Sequence, residues 1–541
     1  MRDYILLFVN GREQKVRGAE ALMPLSTYLR LDLAQCGTKV VCAEGDCGAC
    51  SVMVGRPLTT ARGRSYGDSL QYVPVNSCIQ FMYQLDLAHI ITVEGLKVGQ
   101  ALNPVQQSMV DCNGAQCGYC TPGFVVAMCG LANQQRLAGA NGETLGQDGK
   151  GGKNGKEAAA NSLSPGKSGS ASKHATAVKN NKNSLSEKQV KDCLTGNLCR
   201  CTGYEAIIKA GMDFDLNTFQ PFAELYNERP IIAAFKEEAS EPVLIEHDGR
   251  KIFLPAEVDS AVKFLDECAE AKNKVTIVSG GTDISVNINK RGLKPPTIMS
   301  LCNLTGLDDI EEKEWDGRRV VTVGARVSLS RLERYFEKAC PEFHYVLWVY
   351  GSPQIRQAGT LAGNIGNGSP IADSLPFLFA MNADVEVTGP MGSRTVPIQS
   401  FYTGYKTMAM YPQEMITRII IPLPKADEIL RLYKVTRRQH LDISTFTAAV
   451  VVKLKQDKIA YARVILGGVG PVVLRLTNVE DYLVGKPNKL DTFKTAGRMA
   501  RQAIAPIDDV RGSREFRLQL AENIFQKFFY EMSESKEKVH Q

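Results

Sequence analysis

The 541 residues are 44% apolar and 23% charged, a length that one hydrophobic core cannot serve and that predicts three or four domains of about 100–200 residues. Of the net charge of +6, four arise between residues 139 and 188, where eight lysines face four acids; the remainder is near neutral, which excludes nucleic acid as an expected partner. No apolar run approaches about 18 residues, which excludes a helical membrane span, and Ile5 to Val9 is too short an apolar run for a signal peptide, so a cytoplasmic location is the default.

The chain opens as a hairpin, with alternation over Tyr4-Ile5-Leu6-Leu7-Phe8-Val9, a type I′ turn at Asn10-Gly11, and a return through Gln14-Lys15-Val16. A helix is predicted over 24–33. Fifteen cysteines without an export signal point to metal or redox chemistry rather than to disulfides. Cys42, Cys47 and Cys50, in the run CAEGDCGAC, with Cys78 further on, have the spacing of a plant-type ferredoxin. A thiolate loop of this form wraps one edge of a [2Fe–2S] cluster, and Gly45, Gly48 and the small alanines let backbone N–H groups approach its sulfurs. A four-cysteine zinc site is the rival reading. Such sites usually come as paired short knuckles, so the spacing favours iron.

Beyond residue 97 the pattern turns helical. Cys117-Gly118-Tyr119-Cys120 precedes Thr121-Pro122, with Thr as N-cap and Pro at the first position of a helix predicted over 122–135. Residues 139–183 are rich in Gly, Lys, Asn and Ser and nearly lack bulky apolar side chains, so they read as a disordered insertion. Order resumes at Ser184-Leu185-Ser186-Glu187, a capping-box pattern that Thr202-Gly203-Tyr204-Glu205 repeats after Cys199 and Cys201. Cysteine pairs just before helices place thiolates at positive helix ends. By spacing alone this second set is balanced between zinc and iron.

A linker is predicted over 213–227, and mixed α/β sequence begins at 229, with a helix at 258–271 and strands at 275–278 and 319–323. Beyond 417 follows an α+β tail, with strands at 418–421, 446–454 and 460–466 and helices from 490 onward. The segment Thr276-Ile277-Val278-Ser279-Gly280-Gly281-Thr282-Asp283-Ile284 is a strand running into a turn whose N–H groups can cradle a pyrophosphate. Taken alone it reads more readily as an ordinary strand–turn–helix. A second Gly-rich run, GTLAGNIGNGSPIAD over 359–373, shifts the balance. No G-x-G-x-x-G follows a strand, so a Rossmann nucleotide site is absent. The six histidines, His344 and His440 among them, lack metal-ligand spacing.

QCGYCTPG and GNLCRCTGY, placed after a plant-type cysteine loop, resemble the iron–sulfur part of the molybdenum hydroxylases, the family of xanthine dehydrogenase, aldehyde oxidoreductase and carbon monoxide dehydrogenase. The resemblance spans nearly the whole chain apart from the insertion. It implies a multidomain α+β chain of four parts: a ferredoxin-like β-grasp domain over 1–96, a helical-bundle [2Fe–2S] domain over 97–218, a two-part α/β FAD-binding domain over 225–412, and an α+β flavoprotein C-terminal domain over 413–535. One cluster would sit on Cys42, Cys47, Cys50 and Cys78 and the other on Cys117, Cys120, Cys199 and Cys201, with Gln116 against the pterin of a molybdenum cofactor.

The same resemblance places Val278, Ser279, Gly280, Gly281, Thr282, Asp283 and Ile284 on FAD, together with Thr360, Gly363, Asn364, Asn367 and Asp373. Tyr350 would lie beside the isoalloxazine, with Lys406, Ile416 and Lys434 around the flavin and its phosphates; without the resemblance Tyr350 is equally a core aromatic and the two lysines solvated charges. Gly467-Gly468-Val469-Gly470-Pro471 would form a structural turn. Ala43 and Asp46 depart from the family, which often has Gly there, and the Asp46 charge would lower that cluster's potential. The implied function is an iron–sulfur/FAD subunit of xanthine dehydrogenase type, with no catalytic residue of its own. Electrons would come from a molybdopterin-binding large subunit in a heterodimer or higher hetero-oligomer and leave to NAD⁺. A hydroxylase of nicotinate, an aldehyde or an aromatic acid is the alternative, and a zinc-binding scaffold the non-enzyme alternative.

Overall fold

The computed structural model describes residues 1–59, 66–140 and 183–539, so the expected insertion at 139–183 lies outside the described residues except at its ends. The first sheet combines β1 (Ile5–Val9), β2 (Arg12–Val16), β3 (Ser51–Thr59), β4 (Tyr66–Asn76) and β5 (Ala88–Ile91) in the order β2-β1-β5-β3-β4. β1 and β5 are parallel, as a β-grasp requires. Asn10 and Gly11 take φ of 49° and 79°, the two left-handed residues of a type I′ turn. The following helix, Leu25–Leu31, has Pro24 at its N-cap and stops short of the predicted end.

Four helices, Pro104–Asp111, Thr121–Ala140, Glu187–Cys193 and Glu205–Met212, form the helical part around Phe124, Met128, Val190 and Ile207, all fully buried. Two four-to-five-stranded sheets come next. β6 (Val243–His247), β7 (Arg250–Leu254), β8 (Val275–Val278) and β9 (Thr297–Ser300) are ordered β6-β7-β9-β8, with β9 parallel to both β7 and β8. β10 (Ile310–Trp315), β11 (Arg318–Gly324), β12 (Asp384–Gly389) and β13 (Gly392–Pro397) precede a short hairpin of β14 (Tyr402–Gly404) and β15 (Thr407–Met408). They join β16 (Met415–Pro422) as β10-β11-β16-β12-β13. A last antiparallel sheet, β17 (Ile429–Val435), β18 (Phe446–Lys455), β19 (Lys458–Gly467) and β20 (Leu474–Arg475), packs on helices Thr477–Leu483, Leu490–Gln502 and Arg514–Val539. No helix among the described residues is long and apolar enough to cross a membrane.

Several local expectations shift. The helix expected over 122–135 spans Thr121–Ala140; Thr121 lies inside it, its buried hydroxyl has no partner among the described residues, and Cys120 O accepts from Phe124 N. The capping box forms two residues later than expected, between Ser186 and Gln189, because Leu185 is buried in the core as the helix enters. At the second pattern Tyr204, with φ of 71°, takes the cap position without a side-chain cap bond, since Thr202 turns its hydroxyl to Cys199 Sγ at 3.1 Å. The expected linker at 213–227 carries Leu216–Thr218 and Phe222–Leu225 and buries Phe219 and Phe222.

Two expected boundaries also move. Glu228–Glu238, assigned at 225 to the flavin half, sets Ile231, Ile232 and Phe235 against Phe8 and the helical core. β16, assigned at 413 to the C-terminal part, is paired on both sides, by β11 and β12. A strand with both edges hydrogen-bonded cannot leave its sheet without orphaning a row of backbone groups.

The first sheet and the β6–β9 sheet share one core, in which Ile5, Leu7 and Val54 meet Val243, Ile252 and Ile298. At its edge Arg2, 5% exposed, pairs with Asp86 at 3.0 and 2.8 Å, and Asn303 donates to the same carboxylate at 2.5 Å.

Candidate functional site

The first cysteine loop has no regular secondary structure and owes its curl to left-handed residues, with φ of 55° at Ala43, 79° at Gly45 and 70° at Gly48. Ala43 holds this conformation at a cost of about 1–2 kcal/mol that glycine would escape. Polar side chains from distant segments clamp the loop carbonyls. Asn76 donates to Gly45 O at 2.7 Å, and Asn289 donates to Ala43 O at 3.0 Å and Cys78 O at 2.8 Å. Ser77 donates to Cys50 O at 2.7 Å.

The four sulfurs form one connected group. Cys42 is held low by hydrogen bonds from Cys47 and Cys78, and Cys50 by one from Cys78. Cys50 and Cys78 are buried against Ile79, with Val40, Val286 and Ile355 around them. Burial pushes the Asp46 carboxyl up, while Arg438 pulls it back, which offsets part of the charge effect expected from the sequence.

The second set lies at the surface. Cys117 and Cys201 are exposed, with Sγ atoms 3.4 Å apart, and Cys120 hydrogen-bonds Cys199. Partial burial raises the Cys199 thiol, yet hydrogen bonds from the Thr202 hydroxyl and amide outweigh it and leave Cys199 at about 7. Tyr204 braces the pair by accepting from Cys199 N at 3.0 Å. Gln116 is exposed beside Cys117. In the first set Cys42 contacts both Cys47 and Cys78, and Cys78 also contacts Cys50, whereas the second set meets as Cys117 with Cys201 and Cys120 with Cys199.

The two loops touch through glycine. A Cβ on Gly48 would lie 2.3 Å from Gly196 O, and one on Gly123 2.2 Å from Gly48 O. At this closeness Leu198 N donates to Cys47 O at 3.0 Å, joining the neighbour of Cys199 to a cysteine of the other set. Gln354, 1% exposed, seals the junction by donating to Asn197 Oδ1 at 2.9 Å and Ser51 Oγ at 3.3 Å. Thus the first sheet, the helical part and the flavin half all meet at one point.

The glycine turn after β8 crosses the second Gly-rich run, where a Cβ on Gly280 would lie 1.9 Å from Ala358 O. Gln84 donates to Ser279 O and Gln80 to Gly280 O, both at 3.2 Å, fixing the turn from the side of the first sheet. Gly281 has φ of 70°, and Thr282 Oγ1 lies near Gly359. Asp283 precedes helix Ile284–Arg291, in which Ile284 packs on the shared core.

Thr360 caps helix Leu361–Gly366 by accepting from Gly363 N at 3.0 Å. Asn364 donates to Tyr350 OH at 3.0 Å and accepts from Ser374 at 2.6 Å. Lys434, 4% exposed in its side chain, pairs with Asp373 at 2.6 Å and lies 5.9 Å from the Tyr350 ring centroid; Ser444 donates to the other Asp373 oxygen at 2.6 Å. Burial, with the charges of Asp373 and Asp283, pushes the Tyr350 phenol up. Lys406, exposed, donates to Asn367 at 3.4 Å, and Ile416 lines the base of the run beside Gly366. Gly468 forms the later turn with φ of 75°.

A side-chain-free crossing with N–H groups and buried, paired charge suits a flavin and its pyrophosphate, as the clustered thiols suit iron–sulfur groups. Sequence reasoning missed Asn76, Asn289, Gln354, Gln80 and Gln84, lone amides without a motif.

Three family models match the chain: the [2Fe-2S] binding domain over 92–150 and 166–212, the FAD binding domain in molybdopterin dehydrogenase over 248–424, and the CO dehydrogenase flavoprotein C-terminal domain over 431–532. Xanthine dehydrogenase 1 of Arabidopsis thaliana is 27% identical over 97% of the chain and 39% of its own length. Xanthine dehydrogenase/oxidase of Gallus gallus is 25% identical over 97% of the chain and 40% of its length. The chain therefore spans about two fifths of these relatives. Among solved structures, reconstituted CO dehydrogenase from Oligotropha carboxidovorans is 27% identical, with a TM-score of 0.47, over 51% of this chain and 94% of that one. Quinoline 2-oxidoreductase from Pseudomonas putida 86 is 25% identical, with a TM-score of 0.47, over 52% and 96%.

Proposed function

We infer that this chain, a member of the molybdenum hydroxylase family and its iron–sulfur and FAD-carrying electron-transfer part, serves an oxidation of xanthine dehydrogenase type. In this reading hypoxanthine and xanthine are oxidised on a molybdopterin-binding partner subunit, and NAD⁺ is the final acceptor. Bound here, two [2Fe–2S] clusters and a flavin supply one-electron carriage and its conversion to two-electron chemistry.

The observation that carries the proposal is the junction between the two cysteine loops. Cys117, Cys120, Cys199 and Cys201 form the entry, since Cys117, Cys201 and Gln116 are exposed to an incoming partner. Leu198 N–H to Cys47 O ties this set to Cys42, Cys47, Cys50 and Cys78. Ile355 and Val286 of the flavin half pack on Cys50 and Cys78, and Asn289 clamps the Cys42–Cys50 loop, so these residues would hold the first cluster against the flavin half. The exit is the Val278–Ile284 turn with Thr360, Gly363, Asn364 and Asn367. Asp373 and Lys434 hold charge beside Tyr350, and Lys406 and Ile416 close the rim.

Replacing Cys117 by Ser tests the order. Flavin reduction by xanthine should stop while reduction by NADH persists, and about four irons per chain should fall to about two. Normal flavin reduction by xanthine in Cys117→Ser would refute the route, and zinc without iron in the wild type would refute the clusters.

A further inference from the structure

Where the two cysteine loops meet, glycine lets the backbones approach but does not hold them together. At that contact Leu198 N donates to Cys47 O at 3.0 Å, and Asn197 Nδ2 donates to Gly48 O at 3.3 Å. The second bond is the looser one, because Gly48 O already accepts from Ser51 N at 3.1 Å and Ser51 Oγ at 2.7 Å. The Asn197 amide is planar with an acceptor at one end and donors at the other, so fixing its oxygen aims its nitrogen. Gln354 fixes that oxygen. Its Nε2 donates to Asn197 Oδ1 at 2.9 Å and to Ser51 Oγ at 3.3 Å, so one side chain holds a residue from each loop beside the same carbonyl.

The other end of the Gln354 amide shows what the position retains. Gln354 Oε1 is buried with no hydrogen-bond partner among the described residues, a cost that an apolar side chain of the same length avoids. It faces Gly196, where a Cβ would lie 1.9 Å away, so a side chain at 196 would displace Gln354. The N–H donors are therefore what this residue contributes. They stand on a seat that neither cysteine loop supplies, the helix Pro353–Ala358 of the flavin half. Buried Ser352 caps that helix by accepting from Ile355 N at 3.1 Å, and Arg356 ties it down by donating to Glu333 at 2.7 Å and to Tyr350 O at 3.1 Å.

We propose that Gln354 is a positioning residue for electron transfer between the two cysteine sets, holding Asn197 and Ser51 so that the loops keep one separation. The proposal rests on the reading that both sets carry [2Fe–2S] clusters. One electron passes from the reduced second set to the oxidised first set, and its rate falls steeply with the distance between them. Gln354 bonds an amide and a hydroxyl rather than a sulfur. It therefore sets the distance and leaves unchanged the potentials, which hydrogen bonds to sulfur tune.

The test uses the full chain loaded with iron and flavin. In the wild type about four irons and two EPR signals that split each other on full reduction are expected; fewer irons or a single signal would overturn the cluster reading and the proposal with it. Gln354→Met keeps the length and loses the donors, whereas Gln354→Asn keeps the donors one methylene short. The splitting should be largest in the wild type, reduced in Gln354→Asn and lost in Gln354→Met, with iron, FAD and both midpoint potentials unchanged. Hydrogen exchange at the Leu198 amide should run roughly two- to tenfold faster in Gln354→Met. If Gln354→Met does not load iron, Gln354→Asn is read against the wild type and should show the reduced splitting. Two signals without splitting in the wild type, undiminished splitting in the variants, or a larger loss in Gln354→Asn than in Gln354→Met, the order that packing alone produces, would each overturn the proposal while the clusters stand.

Discussion

Replacing Gly123 by Ala probes the contact between the two cysteine loops without touching a cysteine. Gly123 lies in the first turn of helix Thr121–Ala140, and a Cβ there would sit 2.2 Å from Gly48 O and 3.1 Å from the Ala49 Cα. Both are backbone atoms, so relief requires the whole 42–50 loop to retreat by about 1 Å. Overpacking of this kind costs about 1–3 kcal/mol, while Ala in place of Gly in a helix returns up to about 1 kcal/mol. Gly139→Ala, in the same helix with nothing within 4 Å of its Cβ among the described residues, gains the propensity term alone. Propensity cancels between the two variants, so the gap between them measures the clash, about 1–3 kcal/mol. Urea unfolding followed by cluster absorbance gives the midpoints, and EPR of the reduced protein reports the magnetic interaction between the clusters. Gly123→Ala should unfold earlier than wild type with a weaker interaction, and Gly139→Ala later with the interaction intact. Equal midpoints and equal spectra for the two variants would refute the close packing of the loops.

Other consequences follow from buried charge. Arg2→Ala leaves Asp86 inside the shared core with Asn303 as its remaining side-chain donor and should destabilise by about 3–5 kcal/mol, read as an earlier loss of the first unfolding transition in calorimetry. Lys434→Met strips Asp373 of its cation and should lower FAD content after gel filtration at least tenfold, while iron content stays constant. His89 is fully buried, accepting from Gly11 N at Nε2 and sharing Nδ1 with Tyr72 OH, and burial lowers its pKa from 6.5 to about 4. The unfolded chain takes up this proton first, so the stability contribution is full above about pH 6.5 and falls as pH drops towards 4, by about 3 kcal/mol in all. His89→Gln should flatten the urea midpoint over that range; a slope unchanged from wild type would assign the acid sensitivity to other groups.

What the sequence by itself determined lies in short runs whose chemistry is local. The Asn10-Gly11 turn is one such run, since two left-handed residues are written into two letters. The loop from Cys42 to Cys50 is another, because its spacing and glycines set the curl of a thiolate cradle before anything packs on it. The second set was not legible from its spacing alone; QCGYCTPG and GNLCRCTGY pointed to it through the resemblance to the molybdenum hydroxylases. The exact cap was not legible, since Ser184 and Ser186 offer equivalent patterns and the burial of Leu185 chooses between them. Nor was the assignment of β16 legible, because a strand of Ile and Met fits any sheet until its partners are known.

The tertiary structure alone decided how the two cysteine sets meet. Gly196 belongs to the GNLCRCTGY motif, but that its carbonyl is the neighbour of Gly48 is shown only by the fold. Asn289 and Gln354 reach the cysteine loops from positions 157 or more residues away. A single buried amide has no period and no motif, and its role comes into being only when a distant carbonyl is placed within 3 Å of it. Local spacing marked the first cysteine set and the family resemblance the second, whereas the way the two sets meet is a property of packing.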